Sequence, residues 1–168
     1  MTVHILSKNS TSEITGVREG DSQPNALDIR LNRVWEMSGS FQISDDDKTH
    51  RTKKEVEVRE DGWFHLSPGT YEVSFENMVK VGGDEAGIVI TRSTLNRNGL
   101  FLTSGLYDSG YGNDGNGVMA ACLHVEGGPA YIKKGTRIGQ YVTWKAEALS
   151  SYDGDYGKSG GMDKHLNA

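Results

Sequence analysis

The sequence predicts an all-β fold for one domain in a chain of 168 residues. Short segments in which apolar and polar residues alternate recur along the chain, as they do in half-buried strands. Turn residues separate these segments, and the chain contains 22 glycines. Apolar residues do not recur at three-and-four spacing over three turns, so no helix is predicted. Many short strands joined by glycine and proline turns are typical of a β-sandwich or β-barrel.

The first strong strand signal follows a polar opening at residues 1–23. Apolar and polar side chains alternate from 25 to 31, which predicts a strand with one buried face. The same period continues over 34–43, and Ser-Gly-Ser at 38–40 predicts a turn or bulge within it. The acidic run at 45–47 predicts a solvated loop, because adjacent carboxylates on a loop rarely converge on one ion.

The remaining strands are predicted from the same alternation and from the turns between them. Proline and glycine at 67–70 and glycines at 82–84 predict two of these turns. A continuous apolar run, interrupted by His124, predicts a buried strand near the lone Cys122. The predicted strands of this part of the chain cover 55–58, 62–66, 71–75, 87–90, 118–125 and 137–144.

Residues 1–149 are predicted to form the single β domain, and residues 150–168 a flexible glycine-rich tail. From Ser150 onward the chain has almost no apolar residues, so the tail cannot bury enough surface to order itself. Such a tail is a candidate lid over a functional site.

Composition excludes several classes of function. The formal net charge of -5 argues against a duplex nucleic-acid binder, which neutralises phosphates with a basic face. No apolar run approaches the length needed to span a membrane, and the first residues show no signal-peptide pattern, so a cytoplasmic location is expected. The single Cys122 permits no internal disulfide and is expected to be a buried thiol.

The chemistry is predicted to lie between residues 89 and 117. Two arginines and several hydroxyls follow a strand there, and such groups match phosphate oxygens in charge and geometry. Asp108 follows, in a glycine-rich turn that permits close approach to a ligand. These candidates are Arg92, Ser93, Thr94, Arg97, Gly105, Asp108 and Tyr111. The alternative is structural, since an Arg-Ser pair is commonly just solvated and an Asp in such a turn commonly caps its own backbone.

Five motifs, in order, resemble those of the dCTP deaminases and their dUTPase relatives, and together they span about residues 24 to 145. The first, NALDIRL, resembles the family's strand motif S-x-D-[LV]-R-L, and LSPG resembles its L.PG turn. TRSTLNRNGL resembles the phosphate motif GRSSLAR.GL. GLYDSGY resembles the hairpin G.ID.GY.G, and GTRIGQ resembles the motif G.RI.Q. The printed sequence places them at 25–31, 66–69, 91–100, 105–111 and 135–140.

The resemblance implies a distorted β-barrel or jelly roll that assembles as a homotrimer, with active sites at the subunit interfaces. It implies a pyrimidine deoxynucleoside triphosphate, dUTP or dCTP, as the ligand and Mg²⁺ as the cofactor. No polymeric nucleic acid and no membrane is expected as a partner.

Site roles also follow from the resemblance. Arg92, Ser93 and Gln140 would hold phosphates, together with Thr94 and Arg97 of the same motif. Tyr111 would pack against the deoxyribose, and the hairpin containing Gly105 would receive the base. Asp28 would contact the magnesium ion through water. The tail would close over the triphosphate through Tyr156 and Lys158.

Two activities occur on this scaffold, and the sequence favours one. Deamination without zinc needs a glutamate on the strand after the hairpin. Here Ala120 or Ala121 takes its place, and a methyl group cannot do acid–base work. Hydrolysis at the α-phosphate needs one carboxylate to activate water, and Asp108 is available where dUTPases keep their catalytic aspartate. A dUTP diphosphatase releasing dUMP and pyrophosphate is therefore the main hypothesis.

Two other hypotheses stay open. One is a dCTP deaminase or bifunctional enzyme, and the other is a non-catalytic nucleotide-binding regulatory protein. The hairpin at 100–108 is shorter than in relatives, the loop at 112–117 is longer, and Thr91 replaces a glycine. Base specificity is read in that hairpin, so uracil, cytosine or a modified pyrimidine remains possible.

Overall fold

The computed structural model describes residues 2–3, 9–115 and 117–154. Thirteen strands and one four-residue helix lie within these ranges, which confirms the predicted all-β class. The strands are β1 (Thr2–Val3), β2 (Glu13–Thr15), β3 (Leu27–Ser38), β4 (Gln42–Ile43), β5 (Lys48–Thr49), β6 (Thr52–Glu55), β7 (Trp63–Leu66), β8 (Gly69–Lys80), β9 (Glu85–Thr91), β10 (Leu100–Thr103), β11 (Val118–Val125), β12 (Ala130–Lys133) and β13 (Arg137–Lys145), and helix α1 is Ser93–Asn96.

Nine strands form one antiparallel sheet that curls into a nearly closed barrel. Its main path is β1-β2-β8-β3-β13-β9, while β6 pairs with β3, and β11 and β10 extend the sheet from β8. Strand β10 then returns to β9. The Leu102 N–H donates to Thr91 Oγ1 at 2.8 Å, and the Val89 N–H donates to Ser104 Oγ at 3.0 Å. Strands β12 and β7, and strands β4 and β5, form two separate ribbons.

Strand β3 changes partners along its length. Its first residues pair with β13, its middle with β8 and its end with β6. The register shifts between Leu31 and Arg33, where β8 takes over, and a bulge of this kind bends a strand. Asp28 and Trp35 therefore lie on one strand but in different parts of the barrel.

The barrel interior is filled by the alternating apolar residues that the sequence indicated, including Leu27, Ile29 and Leu31. Fully buried Tyr141 packs closely on Gly87. A Cβ at Gly87 would lie 2.3 Å from the Tyr141 hydroxyl oxygen, so only glycine fits that position without a shift. This close approach fixes β9 against β13 in the register that positions the candidate site.

Two local features differ from the sequence prediction. Helix α1 was not predicted, because four residues are too few to show a helical period. The exposed strand expected at 55–58 is displaced, since β6 ends at Glu55. Val56 still donates its N–H to the Val34 carbonyl at 2.8 Å. The described part of the chain has no helix with the length and apolarity needed to cross a bilayer.

Beyond β13 the chain folds back across the Asp108 turn. The Ala146 N–H donates to the Asp84 carbonyl and the Tyr152 N–H donates to the Ser109 carbonyl, both at 2.8 Å. The expected tail thus begins with residues that contact the barrel. Tyr156 and Lys158 lie outside the described residues.

Candidate active site

A buried carboxylate lies among the side chains that the sequence assigns to phosphate binding. Oδ2 of Asp28 is 3.4 Å from Nε of Arg92 and 3.3 Å from Nη1 of Arg137. Oδ1 of Asp28 accepts a hydrogen bond from Nε2 of Gln140 at 3.0 Å. The alternation predicted Asp28 on the outer face of its strand, but it is fully buried because these donors cover it. We call Asp28, Arg92, Arg137 and Gln140 the Asp28 cluster.

Strand register assembles the Asp28 cluster. Asp28 is opposite Gln140, which is in turn opposite Ile90, two residues before Arg92. Nη1 of Arg92 also donates to the Arg137 carbonyl at 3.3 Å. The two arginine side chains are 30% and 35% exposed, so their guanidinium groups remain accessible to a ligand. Sequence reasoning assigned Arg137 no role, although it lies three residues before Gln140 in the motif GTRIGQ.

Helix α1 presents the rest of the predicted phosphate motif beside the Asp28 cluster. Arg92 has an extended conformation and precedes the helix, and the Arg97 N–H donates to the Ser93 carbonyl at 3.0 Å. Ser93, Thr94 and Arg97 are exposed. The structure therefore brings Arg92, Ser93, Thr94, Arg97 and Gln140 to one end of β9.

Asp108 lies at the first position of a tight turn. The Tyr111 N–H donates to the Asp108 carbonyl at 3.0 Å, and Gly110 has a φ of 85°, in the left-handed region that favours glycine. The hydroxyl of Ser109 donates to the Glu85 carbonyl at 2.6 Å and anchors the turn. Asp108 itself is exposed and borders a cavity of about 580 Å³ between the turn and residues 144–153.

The Asp108 turn and the Asp28 cluster are separated within one chain. Tyr107 pairs with Gly87 near the start of β9, whereas Arg92 follows the end of that strand. A strand rises about 3.3 Å per residue, so the five steps from Gly87 to Arg92 span about 17 Å. A water activated by Asp108 would have to attack within about 3.5 Å of its target, so one chain alone does not bring the two groups to the same reacting centre.

Tyr111 forms part of an aromatic cluster below the turn. Its hydroxyl donates to the Val118 carbonyl at 2.6 Å, and its ring packs edge-on against Tyr107 and Tyr152 at 5.3 and 5.2 Å between centroids. The ring is buried, with 7% of the residue exposed. It borders a second cavity.

This second cavity, of about 380 Å³, opens where the chain leaves β10 at Ser104 and crosses towards β9. Gly105 is on one wall and β11 on the other. Ala120, Ala121 and Cys122 of β11 all line this cavity. Ala121 also packs in the core, while Ala120 and Cys122 are partly exposed. Both alanines that the resemblance put in place of a glutamate therefore border the cavity.

Cys122 is half-buried, not fully buried as expected. Burial raises the pKa of its thiol, and the nearby carboxylate of Glu72 raises it further. The thiol is therefore protonated at neutral pH. Glu72 is directly opposite Cys122 on β8 and forms an ion pair with Lys53. His124, two residues along, stacks on Phe101 with ring centroids 4.6 Å apart.

The described residues of one chain do not form a preformed metal site. Within the described ranges, no group of three or more His, Cys, Asp and Glu side chains is placed to hold an ion. A carboxylate has about four acceptor positions. At Asp28, Arg137 and Gln140 donate hydrogen bonds and Arg92 forms an ion pair. Asp28 is fully buried, and its water-mediated contact with Mg²⁺ stays a prediction.

Comparison with known proteins gives a consistent family. The family model described as dCTP deaminase-like matches residues 2–146. A probable deoxyuridine 5'-triphosphate nucleotidohydrolase of Methanosarcina barkeri is 33% identical over 142 residues, which cover 82% of this chain and 81% of that protein.

Solved structures show the same fold. The 2'-deoxycytidine 5'-triphosphate deaminase of Agrobacterium tumefaciens matches 76% of this chain with a TM-score of 0.57 at 16% identity, and the match spans 40% of that protein's chain. A mutant dUTPase from phage phi11 of S. aureus, which coordinates a structural Mg(II) ion, matches 86% of this chain and 97% of its own with a TM-score of 0.52 at 12% identity.

Proposed function

The chain belongs to the dCTP deaminase-like family, and we propose that it hydrolyses dUTP to dUMP and pyrophosphate. The observation that carries this choice is the set of side chains that β11 presents to the 380 Å³ cavity. Ala120, Ala121 and Cys122 offer two methyl groups and a protonated thiol, and none of them can shuttle protons as a glutamate would. Glu72 is already engaged with Lys53. The exposed carboxylate of Asp108 is suited to the simpler task of activating water.

In the proposed reaction, Asp108 accepts a proton from a water molecule as that water attacks the α-phosphorus. A bond forms between the water oxygen and the α-phosphorus, and the bond from this phosphorus to the bridging oxygen of the β-phosphate breaks. The bridging oxygen leaves with its electron pair as part of pyrophosphate. The tight turn that holds Asp108 is anchored through Ser109 to Glu85, so the catalytic carboxylate is held in place.

The Asp28 cluster is proposed to bind the triphosphate. Planar guanidinium groups match phosphate oxygens with two parallel donors, and Arg92 and Arg137 are each accessible. Gln140 adds a neutral donor from β13. Ser93, Thr94 and Arg97 extend the same surface along α1. Asp28 acts as a positioning residue, because it orients both arginines from behind.

Each active site is proposed to combine two copies of the chain in a homotrimer. The reason is the separation of about 17 Å along β9 between the Asp108 turn and Arg92. Asp108 of one subunit would then work with Arg92 of a neighbour. A barrel with two incomplete half-sites at opposite ends of one strand suits a closed ring of identical subunits.

The proposal also assigns positions to Mg²⁺, to the pyrimidine base and to the C-terminal tail. Mg²⁺ usually binds through substrate phosphates and retains several waters, and it would neutralise the charge that develops on the departing pyrophosphate. Asp28 would contact one of its waters. The cavity beside the hairpin with Gly105 would take the base, and Tyr111 would border the sugar. Tyr156 and Lys158 would close over the phosphates.

Pyrophosphate release from dUTP, dCTP and dTTP in Mg²⁺ tests the proposal. Release from dUTP supports it, whereas ammonia release with an intact triphosphate would indicate a deaminase. Binding without either product would indicate a regulatory protein. Asp108→Asn should abolish turnover and leave dUTP binding intact. Asp114→Asn changes another exposed aspartate of the same loop region and should have no effect.

A further inference from the structure

The 380 Å³ cavity contains a charged pair that no phosphate or water-activating role uses. Lys53 of β6 extends over β3 to the carboxylate of Glu72 on β8, and both line the cavity wall. Their side chains are only 11% and 19% exposed. Charges removed from water in this way are expensive unless their remaining hydrogen-bonding positions are also satisfied.

Both charged residues of the pair line the cavity. An ammonium group has three donors and a carboxylate about four acceptor positions. Among the residues that the structure describes, the side chains of Lys53 and Glu72 are each other's only hydrogen-bond or ion-pair partners. A ligand with an adjacent donor and acceptor would complete both.

The cavity is lined by two groups of residues of different chemistry. Gly105 and Tyr111 belong to the segment that carries the Asp108 turn, whereas Met37, Lys53 and Glu72 belong to β3, β6 and β8. Pockets of about 300 Å³ or more accept small organic ligands, so this cavity has room for a nucleoside. A deoxyribose next to Tyr111 would direct its base along β11, past Cys122, towards the ion pair.

We propose that the Lys53–Glu72 ion pair reads the hydrogen-bonding edge of the pyrimidine and selects uracil over cytosine. This inference rests on the proposed function, because it takes the sugar to lie beside Tyr111. Uracil presents a carbonyl at C4 next to an N–H at N3. Lys53 donates to that carbonyl and Glu72 accepts from that N–H. Cytosine presents an amino group and a bare ring nitrogen in the same places. A donor would then face the ammonium and an acceptor would face the carboxylate.

Equilibrium binding of dUTP and dCTP, measured with EDTA present so that no turnover occurs, tests the proposal. The unaltered chain should bind dUTP about 10- to 100-fold more tightly than dCTP, the range expected when a buried charged partner is left mispaired. The double variant Lys53→Met with Glu72→Gln removes both charges together and leaves no buried ion unpaired. In this variant the two affinities should fall within about threefold of each other.

The matched control is Arg33→Met with Glu55→Gln. Arg33 and Glu55 form an ion pair between β3 and β6, and neither residue lines the cavity. This variant should retain the preference for dUTP. Inorganic tripolyphosphate should bind the unaltered chain and both double variants equally, because it contacts only the phosphate site. Equal affinities for dUTP and dCTP in the unaltered chain, or an unchanged preference in the cavity variant, would overturn the proposal.

A modified ligand gives a second test that needs no variant. A dUTP methylated at N3 lacks the donor that Glu72 would accept, so the unaltered chain should bind it at least tenfold more weakly than dUTP. Equal binding would overturn the inference. Selective binding of dUTP without release of pyrophosphate would instead refute the proposed hydrolysis and keep the base-reading role. Release of pyrophosphate from dUTP, with an unchanged preference for dUTP in the cavity variant, would support the proposed hydrolysis and refute the base-reading role.

Discussion

Replacing Asp28 by asparagine separates the charge of the Asp28 cluster from its shape. Asparagine keeps the size of the side chain and one oxygen acceptor, so Gln140 can still donate to it. The variant loses the negative charge that lies 3.3 to 3.4 Å from nitrogens of Arg137 and Arg92. The two guanidinium groups would then repel each other without a counter-ion between them.

The affinity of the Asp28→Asn chain for phosphate depends on two opposing effects, and its stability is also reduced. Losing the charged partner should lower the free energy of unfolding by about 2 kcal/mol, below the figure for a fully buried pair because each arginine is about one-third exposed. Without this partner the two guanidinium groups also lose their orientation, which should weaken phosphate binding by about 2 kcal/mol. Removing a negative charge about 7 Å from the phosphates should favour binding by about 1 kcal/mol at a solvated site. The net expectation is about fivefold weaker binding.

Calorimetric titration with tripolyphosphate and urea unfolding measure the two quantities on one preparation. Glu85→Gln is the matched control, since Glu85 is also a fully buried carboxylate, at the opposite end of β9 from Arg92. It should reduce stability and leave tripolyphosphate affinity unchanged. Tighter binding by the Asp28→Asn chain would show that relief of repulsion outweighs orientation, and Asp28 would then not be a positioning residue.

Three further predictions follow from the same contacts. Arg92→Ala should weaken dUTP binding at least tenfold, because it removes a charged phosphate donor, and an unaltered dissociation constant would remove Arg92 from the site. Mixing equal amounts of Asp108→Asn and Arg92→Ala subunits, unfolded and refolded together, should restore about a quarter of full activity at saturating dUTP if each site draws these residues from different subunits; no recovery would refute shared sites. Burial raises the pKa of Glu85, but hydrogen bonds from Ser12, Lys145, Thr11 N–H and Ser10 outweigh it and hold that pKa below its ordinary 4.5. This stabilisation is present above pH 4.5 and is lost as the pH falls through the lowered value, so the stability gap between the unaltered chain and Glu85→Gln should close on acidification. A gap that is constant with pH would contradict it.

The fold was predictable because its signal is local and repeated. Leu27, Ile29 and Leu31 alternate in the sequence and are all buried in the barrel. Helix α1 was missed since a single turn has no periodicity to read. Asp28 is on the face opposite Leu27 and Ile29, as alternation predicts, but it is buried where alternation led us to expect exposure to water. Its burial depends on Arg92 and Arg137, which are distant in sequence.

The candidate site was predictable only in part. Motif order identified Arg92, Gln140 and Asp108 as members of one site, and the structure brings the first two together. The separation of Asp108 from them depends on strand register, which no motif carries. The Lys53–Glu72 pair was invisible in the sequence for a similar reason. Lys53 and Glu72 are 19 positions apart in the sequence, and each lies in a segment where charged and other residues alternate. They meet only because β6 and β8 flank β3.

The surroundings of the carboxylates sort them into different roles. Asp28 and Glu72 are mostly buried and each lies against cations, so their charge is already used to position other groups. Glu85 is enclosed by donors and stabilises the start of β9. Asp108 is the exposed one, held by its backbone in a turn. A general base must accept a proton from water, so it needs solvent access and an unblocked oxygen more than it needs a strong partner. On that ground Asp108 is the carboxylate best suited to start the reaction, and the buried acids are better suited to prepare its substrate.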